Sequence, residues 1–84
     1  MPMDTPFRAN TTYRVLRDFK SYRDEFRAGE LLVYRRRGDS SYDSMTGFFF
    51  TPVGGGEYRA WDVAWDDDVG VWRELFEPVV PKAG

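Results

Sequence analysis

The chain has 84 residues, a net charge of -2, 42% apolar and 18% aromatic side chains, and neither cysteine nor histidine. Those absences exclude a disulfide framework, a thiolate nucleophile and imidazole chemistry at a metal or as a general base. A chain this short makes one domain, near the lower size at which a single core holds without staples, so much of its aromatic content is expected inside.

No run approaches the roughly 18 apolar residues that a membrane-spanning helix needs. The opening Met1-Pro2-Met3-Asp4-Thr5-Pro6 has neither the basic nor the apolar stretch of a secretory signal, so a cytoplasmic location is expected. Charge is uneven: residues 1–37 hold nine basic and five acidic side chains, and residues 38–84 hold three and nine. The acidic balance counts against nonspecific nucleic-acid binding, which draws on concentrated Lys and Arg.

Residues 1–10, with two prolines and an isolated Phe7, read as an N-terminal tail or loosely docked arm; the folded domain is expected over 11–77, with a second tail at 78–84. Thr12 to Phe19 is rich in β-formers and predicts the first strand. A polar stretch, Lys20 to Arg27, follows. Ala28-Gly29-Glu30 is a turn signal opening into Leu31 to Arg35, the second strand, and the turn formers Gly38 to Ser44 predict a loop. Met45 to Thr51 is the third strand. Its Phe48-Phe49-Phe50 run puts aromatic surface on both faces, so one face is core and the other is covered by another element or open to a partner.

The glycine cluster in Pro52 to Gly56 predicts a hairpin loop before the fourth strand, Glu57 to Val63. Trp61, Val63 and Trp65 share one face by the period of two, which is expected to be the core face. The pattern then changes period. Val69, Trp72, Leu75 and Phe76 recur at helical spacing between three aspartates and Pro78, which predicts a short helix over 67–77.

In this order of elements, Val15-Leu16-Arg17-Asp18-Phe19 resembles the Ala-Leu-Tyr-Asp-Tyr strand of SH3 domains. Glu25-Phe26-Arg27-Ala28-Gly29-Glu30 resembles the end of their RT loop and diverging turn. The resemblance implies a mostly β, SH3-like small barrel of four to five antiparallel strands, here with a short C-terminal helix. Residues 12–77 are also similar to a bacterial family with a Tyr-Arg-Val-Leu-x-Asp-Phe opening and an Ala-Gly-Glu turn, which brings no known activity with it. Arg17 and Phe19 stand where a peptide-binding SH3 domain has groove tyrosines, and Gly47-Phe48-Phe49 stands where it has a tryptophan pair. The resemblance therefore implies the fold more strongly than a proline-rich ligand.

Phe19, Tyr22, Tyr42 and Phe48 form the candidate recognition surface, because in an SH3-like arrangement their segments converge on one side; Arg17, Asp24 and Glu25 are its expected charged rim. Core packing is an equally plain reading of Phe19 and Phe48. Arg35-Arg36-Arg37 suits a phosphate or acidic partner, or simply a charged strand end that resists edge pairing. Asp66-Asp67-Asp68 suits a hard cation, or more plainly the capping of a helix. The serines at 40, 41 and 44 lack a base to activate them.

The expected function is a non-enzymatic protein–protein interaction module that binds a partner segment through an aromatic loop face, without a cofactor or metal. A small inhibitor or immunity-type protein that blocks a partner enzyme is the alternative, and a single-stranded nucleic-acid binder a more distant one.

Overall fold

A computed structural model describes residues 5–79. Its strands in chain order are β1 (Thr12–Val15), β2 (Phe19–Lys20), β3 (Glu25–Phe26), β4 (Leu31–Ser40), β5 (Met45–Pro52), β6 (Arg59–Ala64) and β7 (Phe76–Pro78). A 3-10 turn over Val69–Val71 runs into α1, the single helical turn Trp72–Leu75. Five strands make one antiparallel sheet in the order β6-β5-β4-β1-β7, and β2-β3 form a separate hairpin. Among the described residues no ladder joins β6 to β7, so the sheet is open rather than a closed barrel. The expectation of a mostly β domain with a short C-terminal helix holds.

Strand parity decides what each side chain does. On β5 the odd and even residues part company: Thr46, Phe48 and Phe50 are fully buried, while Phe49 lies on the opposite face. The β4–β5 pairing shifts register between Tyr34 and Arg36, a bulge at Arg35. Leu32 and Tyr34 before the bulge face the core. Beyond it, Arg36 pairs with Phe49 on the outer face.

Several sequence expectations change. Gly38, Asp39 and Ser40 are strand rather than loop, paired with Gly47, Thr46 and Met45, and the turn shrinks to residues 41–44. Their turn propensity is overridden by cross-strand contacts: Thr46 Oγ1 donates to Asp39 Oδ1 at 2.7 Å, and the Phe49 ring covers Gly38 so closely that a Cβ there would lie 3.2 Å from it. The predicted helix over 67–77 contracts to one turn. Phe76 leaves it with φ -137° and ψ 148°, and Phe76 and Glu77 pair with Val15 and Arg14 of β1. The sheet edge competes for these residues and wins, since extension buries Phe76 and brings Glu77 Oε1 to 2.8 Å from Arg14 Nη1. Asp68 does cap this region, its Oδ1 accepting from the Gly70 N–H at 2.8 Å. The first strand also splits, ending at Val15 with Phe19 starting the hairpin.

A further change concerns Phe7, read as part of a tail or loosely docked arm. It is only 5% exposed and its ring centroid lies 5.1–5.9 Å from those of Tyr13, Tyr34, Phe48, Phe50, Trp61, Trp72 and Phe76. Most of these contacts are edge-to-face, the arrangement favoured by the ring quadrupole. The backbone after it is tied down as well: Asn10 N–H donates to Tyr34 O at 2.7 Å, and Arg8 N–H to the Tyr13 hydroxyl at 2.9 Å. Phe7→Ala should cost about 3–5 kcal/mol, the usual price of removing a buried phenyl ring, and a chemical denaturation curve of the variant checks it.

The turn before β4 is built from two carboxylates. Asp18 Oδ1 accepts from the Ala28 N–H at 2.8 Å and Glu30 Oε1 from the Arg27 N–H at 2.7 Å. Gly29 takes φ +92° there, a conformation that strains any residue with a Cβ. Gly29→Val should therefore destabilise by more than about 1 kcal/mol in the same assay, although nothing lies near enough to clash with a Cβ.

Candidate functional site

The β2–β3 hairpin reverses at Tyr22 and Arg23, with the Ser21 N–H donating to Asp24 O at 2.8 Å. Its base is held by apolar packing: Phe19 and Phe26 stack with centroids 4.7 Å apart, and Phe26 is fully buried. Its tip is held by polar contacts to β6. Arg23 binds the Asp62 carboxylate through Nε at 2.9 Å and Nη2 at 2.6 Å, a fork geometry that fixes orientation as well as attraction. That pairing holds the Arg23 guanidinium above its ordinary, already high pKa. Ser21 Oγ accepts from the Asp62 N–H at 2.7 Å and Asp24 Oδ2 from the Ala60 N–H at 2.8 Å.

This leaves Tyr22 standing 74% exposed between two clefts that it helps to line. The first, about 560 Å³, runs between the hairpin and the 3-10 turn, with Trp61, Val63 and Val71 below and Asp62, Asp67 and Asp68 on its walls. The second, about 500 Å³, runs between the hairpin and the β4–β5 turn, with Phe49 and Gly47 among its lining and Arg23, Arg36 and Asp43 around them. Phe49 is clamped there, the Arg23 and Arg36 guanidinium carbons lying 5.2 and 4.8 Å from its ring centroid. A Cβ on Gly47 would come within 3.0 Å of both Arg23 Nη2 and Asp62 Oδ1, so glycine is what lets the ion pair lie flat on the sheet. Between the two clefts the Arg23–Asp62 pair forms the dividing wall.

The sequence-predicted candidates are dispersed. Phe48 is 0% exposed and belongs to the core; its neighbour Phe49 takes the outer face, which the three-phenylalanine run could not distinguish. Phe19 turns its ring to Phe26 and Phe76, and borders a separate depression on the far side of the hairpin with Asp18, Glu25 and Arg27. Tyr42 is 96% exposed at the tip of the β4–β5 turn, whose Asp43 lines the second cleft with Ser40 at the end of β4. Asp24 is not a free rim charge, since it accepts from β6. Arg17 lies 3.9 Å from Glu74, and Glu25 pairs with Lys20 and Arg27. Of the predicted set, Tyr22 is the residue on the clefts, with Tyr42 beside them. Arg23, Phe49 and Asp62 were missed, and Arg36 was read only as part of the arginine run. Strand parity could have pointed to Phe49, but no local pattern joins Arg23 to Asp62 across the chain.

The Arg35-Arg36-Arg37 run does not act as one patch. Arg35 bonds Asn10 Oδ1 and Thr51 Oγ1, Arg36 lies on Phe49, and Arg37 reaches Asp39 at 3.5 Å. Among the described residues no group of three or more acidic side chains is placed to hold a metal ion, and no helix is long and apolar enough to cross a membrane.

No family model matches the chain, and no curated protein sequence matches it. Its structure is similar to that of an integron cassette protein from the mobile metagenome of Vibrio cholerae, with a TM-score of 0.71 and 18% identity, covering 88% of this chain and 87% of that one. At that identity the likeness is one of fold: a small β domain built on the same plan.

The hairpin base is also joined to β6 by Arg59, which reaches Glu30 through Nη1 at 2.8 Å and lies over the Phe26 ring at 4.8 Å. The Arg59 hydrogen bond holds the Glu30 carboxyl below its ordinary value of 4.5, against an opposing push from partial burial. A carboxyl depressed in the folded state stabilises fully above its unfolded value and loses that contribution as pH falls through the folded one. Glu30→Gln should therefore lower the melting temperature most at neutral pH, with the gap to the parent narrowing below about pH 4.5 as the parent loses its own pair.

Proposed function

We propose that this domain is a non-enzymatic interaction module that binds a segment of a partner protein across the Tyr22 ridge, in the two clefts on either side of it. The observation that carries the reading is the exposure of Tyr22 between two clefts, on a hairpin tip that is otherwise fully tied down. A rigidly presented tyrosine offers large contact area at low entropic cost. The clefts are neighbouring and lined by apolar floors with charged walls, which suits an extended segment laid across both. The strand order, with first and last strands side by side and a separate hairpin inserted after the first, supports the SH3-like resemblance.

The chemistry available supports binding over catalysis. With no histidine or cysteine in the chain, acid–base work would fall largely to carboxylates, and most of those lining the clefts are engaged: Asp62 with Arg23, Asp39 with Arg37 and Thr46, Asp67 with the Ala64 N–H and Asp68 with the Gly70 N–H, which leaves Asp43. The arginines are likewise distributed among separate partners, which disfavours a continuous groove for a nucleic-acid backbone.

A peptide-display selection against the whole domain tests the reading. Enriched peptides should shift the amide signals of residues 20–23, 38–43 and 61–71, and Tyr22→Ala should weaken them by at least about 1 kcal/mol with the melting temperature unchanged. Peptides whose shifts map to the opposite face, or that bind Tyr22→Ala as tightly as the parent, would sink it.

A further inference from the structure

An edge strand exposes alternate N–H groups to pairing with another chain, and proteins blunt such edges to stay apart. The sheet here has two edges, β6 and β7. On β7, Pro78 has no N–H to offer and the Phe76 N–H is already donated to Trp72 O. On β6, pairing with β5 leaves Ala60, Asp62 and Ala64 with their N–H groups directed outward, and each of the three is met by a side chain instead of a strand. The acceptors are Asp24 Oδ2 at 2.8 Å, Ser21 Oγ at 2.7 Å and Asp67 Oδ2 at 3.3 Å.

We infer that Ser21, Asp24 and Asp67 are edge caps that keep β6 from pairing with the β6 strand of a second copy of this chain. The three caps come from two different segments, the hairpin tip and the turn after β6, and they occupy every second residue along the strand. Ser21 and Asp24 meet Asp62 and Ala60 in antiparallel sense, so the hairpin tip occupies the place of a further strand while contributing only side chains to it. Because its own backbone does not enter the ladder, the sheet stops there. The occupant of an uncapped edge follows from symmetry: two identical antiparallel edges are self-complementary about a two-fold axis. A second copy reaches the edge only when the hairpin tip lifts, and Ser21, Asp24 and the Arg23–Asp62 pair hold that tip down.

The test compares the full chain with the variants Ser21→Ala/Asp24→Ala/Asp67→Ala and Asp24→Asn, the latter retaining an acceptor oxygen. In sedimentation velocity over a hundredfold concentration range, the parent and Asp24→Asn should stay monomeric. The triple variant should dimerise at least tenfold more tightly than either, with amide shift changes on dimerisation confined to residues 59–64. A folded triple variant that remains monomeric, a dimer mapping to another surface, or a parent already dimeric through β6 overturns the inference. Should the triple variant fail to fold, amide exchange in the single variants decides: Asp24→Ala should speed exchange at Ala60 at least tenfold and leave Ala64 unchanged, and Ser21→Ala should do the same at Asp62. Equal exchange in variants and parent would show that the side chains do not cap the edge.

Discussion

The ring of Phe7 sits where the inward side chains of β1, β4, β5, β6 and β7 converge, and the rest of the architecture depends on that placement. The sheet is open, so its buried face needs a lid, and α1 with the 3-10 turn contributes only two short turns to one. The segment before β1 completes the cover from its own end of the chain. A core built from aromatic rings suits a domain of this size, because each ring removes much apolar area from water for few ordered torsions. Edge-to-face packing also makes such a core directional, so the strands are located in angle as well as in distance.

Above that core the hairpin is fixed by two kinds of bond at its two ends. Phe26 drives its base into the core, and at the base Arg59 joins an apolar ring to the Glu30 carboxylate. At the tip, Ser21, Arg23 and Asp24 reach the backbone and carboxylate of β6. Fixing both ends turns what would be a mobile loop into a wall with a cleft on either side. The same contacts thus serve three purposes: they close the sheet edge, divide the clefts and hold Tyr22 out in solvent.

Charge in this molecule is mostly local. The basic first half and acidic second half of the chain meet through pairs such as Arg14–Glu77, Arg17–Glu74 and Arg23–Asp62. The exposed pairs Arg14–Glu77 and Arg17–Glu74 contribute little each to stability, and their effect lies more in orienting segments. Arg36 differs, resting on Phe49 at the second cleft with no carboxylate partner among the described residues. It leaves one guanidinium edge available at the proposed binding face.

The β class, the Gly29 turn, β5 and the inward phase of Trp61 and Val63 were determined by sequence alone, because each rests on local periodicity or on a backbone conformation that only glycine takes freely. What tertiary structure decided were the positions where local signals were silent or matched two outcomes. Phe48 and Phe49 are identical in sequence terms, and only the register against β4 and β6 sends one inward and the other to the clefts. Phe76 satisfied a helical spacing until β1 offered it a ladder and a buried place. Phe7, flanked by prolines and polar residues, carried no periodicity, since a single plugging ring needs none. Tyr22 could be read as exposed from its polar neighbours. Its role as a ridge came from Asp62, 40 residues further along the chain, whose carboxylate only folding brings to Arg23.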